Sequence, residues 1–540
     1  MNEFARRFNV QTSSNFSDLP NTEEIRRKSF SFMATMGALP SETVDHALET
    51  DRSRLSWRAN RTAGAEGTFP IGPENIEGTL PPELRGTMFR TAPGTNKCHQ
   101  TELKSFFDGD TFISGYSFEN GKVLLRCKFI DLPWRNRETM ENTMLYSEAG
   151  TLPDRPWYPG RGLLDLKNQP SVNIIPWDGR LLALSEGGYP TAVDPQTFEF
   201  ESRWNFHNTL KSFTMNMKAF TAHPRFDTKT GIGYAFGFVN FKFFFPWQHP
   251  MIVYRMETNG KLNTLYNITS LPHYYMVHDM ILTENYMVFM VPPVRVTLGG
   301  SVFGQRTLLD NFNYTDDDPL RIMILKKDGT SKKPVIIELP PNMAFHNGNG
   351  YEEDGNIVLD TLLYEDGRIL DVIREWYKDT LPNATDSQLN RIVIDPVKGT
   401  LIDRKVISDD HELPRFNMDR SGQKARYLYT VDTGTTAPGD PYGSKIRKTD
   451  LNFGTQIVSA DHGETRIFGE PVYVPRPGST EEDDGWILAL CFDGEVDKTF
   501  MEILDAETLE FIARVWTPTH IPLGFHGNFQ ADYFLNPDIG

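Results

Sequence analysis

Cysteine, clustered basic residues and long apolar runs are all scarce in this chain of 540 residues. Its three cysteines, Cys98, Cys127 and Cys491, show no paired spacing, which argues against a disulfide framework or a zinc–thiolate site and favours a reducing compartment. The formal net charge is −17 and the basic clusters are short and scattered, so the chain lacks the positive surface that nucleic acid binding requires. We therefore predict no nucleic acid partner.

Long apolar runs are missing as well. None reaches the roughly 20 residues of a membrane-spanning helix, and the first residues lack the apolar core of a signal peptide. We therefore expect a cytoplasmic protein, for which contact with a membrane surface is compatible with the sequence but not required. The aromatic run Phe241–Trp247 has three open interpretations: it lines a substrate tunnel, dips into a membrane surface or packs in the core.

From about residue 68 to residue 516 the chain consists of short segments in which apolar and polar residues alternate. Turn pairs that tolerate positive φ separate these segments and favour tight hairpins. The pairs are Asn120-Gly121, Asp178-Gly179, Asn259-Gly260, Asp328-Gly329, Asp354-Gly355 and Asp366-Gly367. Strands are predicted at Lys122–Ile130 and Tyr286–Val291. Many hairpins without a linker predict a single all-β body, and a β-propeller is the favoured architecture even though no sequence repeat is detectable.

Residues 1–65 differ from this body and are predicted to form a separate, partly helical arm. The segment Glu23–Met36 favours a helix, and Ser41 is a suitable N-cap for a second helix that ends near Thr50. Residues 66–540 would then form one catalytic domain. The arm either wraps this domain or is partly disordered, and the sequence leaves both open.

The histidines give the first indication of function. Four of the twelve stand between apolar or small residues beside a predicted strand: His223, His278, His346 and His526. Each one, taken alone, is more simply read as a buried structural histidine. Inner strands of different propeller blades could, however, bring widely spaced residues to one axis. Four neutral imidazoles without a carboxylate ligand would suit a borderline divalent metal such as Fe(II).

Several ordered motifs resemble those of the carotenoid cleavage oxygenase family, which includes enzymes that cleave stilbenes and phenylpropenoids. Pro81–Arg90 is similar to the family's opening strand, and Phe106–Asp110 contains its Asp-Gly-Asp signature. Glu470–Gly478 with Glu481–Gly485 is similar to a further signature. The resemblance spans about residues 68–535. It implies a seven-bladed β-propeller with a helical lid and an Fe(II) ion held by the four histidines, His223, His278, His346 and His526.

The resemblance also selects three glutamates, Glu186, Glu412 and Glu470, as acceptors for the second ring N–H of the iron ligands. Without the family, each would be read as a solvated charge. Glu186 and Glu412 do lie in apolar surroundings along the chain, which favours burial.

Some positions depart from the family pattern. Ser185 stands where the stilbene-cleaving branch has a lysine that contacts the substrate's phenol. Val172 stands where many members place a threonine near the open iron position; some animal members, one of them an isomerase, also differ there. Ser185 and Phe525 are the candidate residues of the substrate pocket.

The resemblance thus implies a non-haem Fe(II) dioxygenase that uses O2 to split a conjugated C=C bond of an apolar aromatic or polyene substrate into two carbonyl products. We expect a phenolic alkene, namely a vinyl- or propenyl-phenol such as 4-vinylguaiacol or isoeugenol, or a stilbenoid, although Ser185 disfavours a standard hydroxystilbene enzyme. Cleavage of a carotenoid or apocarotenoid is the main alternative, and Val172 keeps isomerisation or hydrolysis open. A metal-free propeller that binds partners is disfavoured because all four histidines and all three glutamates are present. The sequence does not define the oligomeric state.

Overall fold

The computed structural model describes residues 54–539 except 157–161, 163–164, 212–218, 239–250, 298–305, 379, 437–438 and 461–464. The described helices are short: α1 (Leu55–Ala59), α2 (Pro133–Glu141) and α3 (Ile369–Arg374), with 3-10 turns at Pro73–Asn75, Leu309–Asn311, Met418–Arg420 and Thr433–Thr435. None of these helices has the length and apolar character that a membrane span requires. The helices predicted at Glu23–Met36 and Ser41–Thr50, and the aromatic run Phe241–Trp247, lie outside the described residues.

Seven antiparallel sheets of four or five strands form the blades of a propeller. Two blades have five strands. One contains, in spatial order, β1 (Gly67–Pro70), β7 (Lys122–Phe129), β6 (Thr111–Glu119), β3 (Gly86–Pro93) and β34 (Gly527–Ala531). The other contains β2 (Ile76–Gly78), β33 (Phe511–Trp516), β32 (Lys498–Asp505), β31 (Gly485–Asp493) and β30 (Arg466–Pro475).

The other five blades have four strands each. They are β8 (Asn173–Trp177), β9 (Arg180–Leu184), β10 (Thr191–Val193) and β11 (Phe200–Arg203); β12 (Arg225–Asp227), β13 (Ile232–Phe238), β14 (Met251–Met256) and β15 (Leu262–Ile268); β16 (Met280–Leu282), β17 (Tyr286–Val291), β20 (Leu320–Lys326) and β21 (Val335–Leu339); β22 (Met343–Glu353), β23 (Asn356–Tyr364), β24 (Ser387–Asp395) and β25 (Thr400–Asp409); and β26 (His411–Arg415), β27 (Tyr427–Asp432), β28 (Ile446–Asp450) and β29 (Gln456–Val458). Two small sheets pair β4 (Lys97–Cys98) with β5 (Thr101–Glu102) and β18 (Val294–Val296) with β19 (Phe312–Tyr314). Four of the five four-stranded blades are built from consecutive strands, and in the fifth β18 and β19 are inserted between the second and third strands. The predicted seven-bladed β-propeller is confirmed.

The two ends of the described chain close the ring. β34 pairs with β3, so that Arg90 lies opposite Gly527 and Gly86 opposite Ala531. In the neighbouring blade, β2 pairs with β33. One five-stranded blade therefore adds a late strand to four early ones, the other adds an early strand to four late ones, and the ring is complete only when both ends are in place.

Seven strands surround the axis: β8, β12, β16, β22, β26, β30 and β34. Each is the terminal strand of its sheet and lies beside other terminal strands around the ring. The side-chain amide of Asn173 donates to the carbonyl of Ala222 at 2.8 Å, which joins the start of β8 to the segment before β12. Residues at the starts of these seven strands consequently meet at one end of the axis.

Apolar side chains fill the spaces between neighbouring blades. On β17, Val288 packs towards the blade that contains β23, whereas Met287 and Phe289 pack towards the blade that contains β13. Successive side chains of a strand point to opposite faces, so a strand buried on both faces is apolar at nearly every position. This explains why the predicted strand Tyr286–Val291 coincides with β17.

The turn pairs behave as predicted in part. Asn120-Gly121, Asp178-Gly179 and Asp354-Gly355 have positive φ at both residues and close the hairpins β6–β7, β8–β9 and β22–β23. The hairpin predicted at Asp366-Gly367 is wrong. There the Asp366 carboxylate accepts a hydrogen bond from the backbone N–H of Arg368 and leads the chain into α3 instead.

The proposed boundary between an arm (1–65) and a body (66–540) stays a prediction. Within the described part of the arm, α1 and the residues after it pack against the propeller, with Trp57, Ala59 and Asn60 all buried.

Candidate metal centre

The four predicted histidines meet at the axis. His223 and His278 lie two residues before β12 and β16, His526 directly precedes β34, and His346 lies within β22. Four different blades therefore bring one imidazole each to the same end of the ring. All four side chains are mostly buried, and one ring nitrogen from each lies within 4.8 Å of the others.

The rings surround a common point. The centroid of the His223 ring lies 4.4 Å from that of His278 and 4.6 Å from that of His526. The His346 centroid lies 4.9 Å from that of His526 and 5.0 Å from that of His278. The Nε2 atoms of His278 and His346 are 3.2 Å apart.

The outward nitrogen of three rings contacts a glutamate. The pairs are His278 Nδ1 with Glu186 Oε1 at 2.5 Å, His346 Nδ1 with Glu412 Oε2 at 2.7 Å, and His526 Nδ1 with Glu470 Oε1 at 2.9 Å. A carboxylate accepts hydrogen bonds, so His346 and His526 each carry a proton on Nδ1, and when these rings are neutral their Nε2 lone pairs are directed inward. His278 Nδ1 and Glu186 are in close contact without hydrogen-bond geometry.

This arrangement fits a cation. Nε2 of His278 and Nε2 of His346 lie 3.2 Å apart, close enough for one ion to bind both. Nε2 of His223 and Nε2 of His526 are buried and have no hydrogen-bond partner among the described residues. A metal ion between the four Nε2 atoms would satisfy all of them, and imidazole nitrogen is a suitable ligand for iron and other borderline divalent metals.

The protonation states agree with this fit. Burial and the neighbouring imidazoles hold the pKa of His223 well below its ordinary value. Burial lowers the pKa of His526 to about 4, although Glu470 opposes the change. Both rings are therefore neutral near pH 7. In the metal-free protein burial disfavours the charged form of His346, but Glu412 outweighs it and raises the pKa, and the same carboxylate would favour a bound cation.

Two of the glutamates are ionised despite their burial. Burial opposes ionisation of Glu470, yet the charge of Arg415 and the hydrogen bond from His526 lower its pKa to about 2. Burial likewise opposes ionisation of Glu412, but His346 and the Tyr364 hydroxyl lower its pKa to about 2.

The other three inner strands also supply one residue each. Glu412 lies on β26, Glu470 lies on β30, and Val172 directly precedes β8. The backbone N–H of His526 donates to the carbonyl of Val172 at 3.2 Å. The axis end is thus ringed by four histidines, two glutamates and one valine, and Val172 is the position without a polar side chain.

An apolar cavity of about 50 Å³ adjoins the histidines and is lined in part by His278, His346 and His526. Its wall is rich in aromatic rings: Phe106, Phe107, Phe345, Tyr364, Trp376, Tyr442 and Phe525. Helix α3 adds Ile369, Val372 and Ile373, and so covers part of the cavity as a predicted helical lid would.

The candidate pocket residues fall in different places. Phe525 and Val172 line the cavity. Ser185 lies outside the described lining, and its hydroxyl donates to Asn168, so its role in substrate recognition stays a prediction.

Sequence reasoning missed Tyr364, which donates its hydroxyl proton to Glu412, and Trp376. Neither carries a local signal. Phe106 and Phe107, in contrast, belong to a motif that the sequence did single out.

Four imidazoles at the axis of a β-propeller, beside an apolar cavity, define a non-haem metal enzyme that acts on apolar small molecules. The chain belongs to the carotenoid cleavage oxygenase family: the family model described as retinal pigment epithelial membrane protein matches residues 61–531.

Individual relatives support this assignment to the family. The chain is 30% identical over 465 residues to the apocarotenoid-15,15'-oxygenase of Synechocystis sp., covering 84% of this chain and 92% of that protein. It is 24% identical over 482 residues to resveratrol cleavage oxygenase 1 of Aspergillus fumigatus, covering 84% and 91%. The crystal structure of the cobalt-substituted Synechocystis apocarotenoid oxygenase superposes with a TM-score of 0.80 at 27% identity, covering 89% of this chain and 100% of that one.

The chain is therefore a non-haem iron oxygenase of the alkene-cleaving, carotenoid-cleavage type with a four-histidine metal site. The family implies an apolar alkene as substrate and O2 as co-substrate.

Replacing His346 with alanine should reduce the bound metal from near one ion per chain to a small fraction, because it removes one of four ligands. Metal content is measured by mass spectrometry after anaerobic incubation with Fe(II) and desalting. His207→Ala is the control, since His207 is exposed and contacts only surface groups such as Asp178. Equal iron in the two variants would contradict the proposed ligand set.

Replacing Glu470 with glutamine should weaken metal affinity about 10- to 100-fold. The variant removes the charge behind His526 and places an amide against the Gly527 N–H, which now donates to Glu470 Oε2 at 2.9 Å. Affinity is measured by competition with a chelator. Glu502→Gln is the control. Glu502 is as buried as Glu470 and lies in the same blade, but it pairs with Arg514 instead of a histidine. If both variants bind metal like the parent chain, Glu470 does not support the centre.

Proposed function

We propose that this chain is an Fe(II)-dependent dioxygenase that cleaves a conjugated C=C bond of a phenolic alkene, such as 4-vinylguaiacol, isoeugenol or a stilbenoid, into two carbonyl products. The observation that carries the reaction type is the convergence of four imidazole nitrogens within 4.8 Å beside an apolar cavity. His223, His278, His346 and His526 would hold the iron, and Glu186, Glu412 and Glu470 would fix the orientation of three of these rings.

Iron in this site would supply the binding and activation of O2. The overall reaction is balanced without another reagent: the C=C bond and the O–O bond break, and each alkene carbon receives one oxygen atom. No reductant is consumed. The work of the protein is to place the alkene beside the metal and to keep water out of the cavity.

Val172 would keep one side of the metal accessible. It occupies the axis position that has no ligand atom, and its side chain lines the cavity together with three of the histidines. Four nitrogen ligands would leave part of the metal's coordination sphere for O2, and an apolar neighbour would not compete for it.

Two tyrosines that line the cavity would suit a substrate that donates a hydrogen bond. Tyr364 gives its proton to Glu412, and Tyr442 gives its proton to the carbonyl of Gly524 at 2.7 Å. Each oxygen keeps a lone pair but has no second proton to offer. A phenol can donate to such an oxygen, whereas the aldehyde of an apocarotenal can only accept.

The division of the apolar space favours a compact substrate. Phe107, Phe345 and Ile373 line this cavity and also a smaller neighbouring one, so their side chains lie between the two. A long polyene that reached into both cavities would have to displace these side chains, whereas a phenylpropenoid would not have to extend past them.

Cleavage of an apocarotenoid is the second candidate. It is favoured by the 30% identity to the Synechocystis apocarotenoid-15,15'-oxygenase. The two candidates share the metal centre and the bond-breaking step and differ only in what fills the cavity.

The substrate is tested by incubating the Fe(II)-loaded protein in air with isoeugenol, 4-vinylguaiacol, resveratrol and a β-apocarotenal. We expect aldehyde products from at least one phenolic alkene, and mass spectrometry after incubation under labelled O2 identifies them and the origin of their oxygen. His346→Ala protein is the control. Products from the apocarotenal alone would reject the phenolic class. An isomerised or hydrolysed product without new oxygen from O2 would reject the dioxygenase.

A further inference from the structure

The segment Leu523–Gly527, which carries His526, has an irregular conformation but is held by distant parts of the chain. Nearly every polar backbone group in it has a partner. Three of its N–H groups donate: Leu523 to the carbonyl of Ala59 at 3.3 Å, His526 to that of Val172 at 3.2 Å, and Gly527 to Glu470 at 2.9 Å. Three of its carbonyls accept: those of Leu523 and Phe525 from Arg90 at 2.9 and 3.2 Å, and that of Gly524 from the Tyr442 hydroxyl at 2.7 Å. The orientation of His526 therefore depends on these bonds.

Gly524 is the turning point of the segment. Its φ is +59°, and a Cβ there would lie 2.5 Å from the Cβ of Ala92. Only glycine adopts this conformation in this space without strain. The peptide at Gly524 thus sets the direction in which the chain approaches His526 two residues later.

The N–H of Gly524 donates to a side chain from the far end of the sequence. The acceptor is Oδ1 of Asn60, at 3.0 Å and across 464 residues. Nδ2 of Asn60 donates to the carbonyl of Ser56 at 2.9 Å. With a carbonyl on one side and an N–H on the other, the amide has only one orientation that satisfies both neighbours.

The segment that carries Asn60 is itself anchored to a blade. Arg58 and Arg61 contact the Asp497 carboxylate at 2.9 and 2.8 Å, and Arg58 also donates to the carbonyl of Gly494 at 2.7 Å. These acceptors lie in the hairpin loop between β31 and β32. The segment of Asn60 is therefore bonded to this loop on one side and to the segment that carries His526 on the other.

We propose that Asn60 is a positioning residue for the metal centre: by holding the peptide of Gly524 it fixes the approach of His526 to the metal. This inference rests on the proposed role of His526 as a ligand. It makes the residues just before the first propeller strand a functional part of the site rather than a separate arm.

The test is Asn60→Leu, which keeps a similar size but removes the acceptor and leaves the Gly524 N–H without a partner. We expect loss of bound Fe(II) to a chelator to be about five- to tenfold faster than in the parent chain, the effect of one buried hydrogen bond. The visible spectrum of the Co(II)-loaded variant should also shift, because those bands report ligand geometry. Asn60→Ala, which cannot overpack the site, is made alongside and should change both readings in the same direction.

Thr62→Val is the matched control. Thr62 belongs to the same segment, donates to Asn96 Oδ1 at 2.6 Å and accepts from the Asn96 N–H at 3.4 Å, so the variant also removes side-chain hydrogen bonds but none to the His526 segment. Glu502→Gln, in which the buried partner of Arg514 loses its charge, controls for a general loss of stability. Metal loss and Co(II) spectra of both controls should match the parent chain when each is measured well below its unfolding temperature.

The proposal is overturned if the Asn60 variants release metal no faster than Thr62→Val, or if their release rate follows only the drop in unfolding temperature seen for Glu502→Gln. Failure of the metal site itself has a different signature, namely a parent chain that does not retain Fe(II) at all.

Discussion

Buried carboxylates facing imidazoles are the interaction on which the metal centre depends. A buried anion is costly unless it is paired and hydrogen-bonded. Glu470 meets this requirement with His526, the Gly527 N–H and two arginines, Arg90 at 3.7 Å and Arg415 at 3.5 Å. Glu412 and Glu470 accept a hydrogen bond from Nδ1 of His346 and His526 and so fix the planes of these two rings, while Glu186 lies against Nδ1 of His278; Nε2 of each ring therefore faces inward before a metal arrives. The same charges would offset those of a bound divalent ion.

The propeller arranges these histidines and glutamates in a ring around its axis. Each of the seven blades brings one residue at or near the start of its innermost strand to the axis, and the sequence decides whether it is a ligand, a supporting carboxylate or an apolar residue. His526 is the last of these seven residues along the chain. The segment before it is hydrogen-bonded to Ala59, Asn60 and Arg90, which lie near the beginning of the described chain. The site is therefore complete only when the early and late parts of the fold have met.

Much of this could be predicted from the sequence. The alternating strands, the three hairpins with positive φ at both turn residues and the positions of the four histidines follow from local patterns. The resemblance to the family adds the number of blades. Other features depend on tertiary contacts that no local pattern reports. Tyr364 reads as an ordinary strand residue until β26 brings Glu412 to its hydroxyl. Asp366-Gly367 has the composition of a hairpin but leads into a helix, and Asn60 lies in a stretch that seemed separate from the body.

The most direct test of the four-histidine centre is X-ray absorption spectroscopy at the iron edge of Fe(II)-loaded protein. The structure predicts multiple scattering from four imidazoles and no carboxylate contributed by the protein in the coordination sphere, with any remaining scatterers being water or O2-derived oxygen. A spectrum that requires three or fewer imidazoles, or a protein carboxylate bound to the iron, would contradict the convergence of His223, His278, His346 and His526 on one metal.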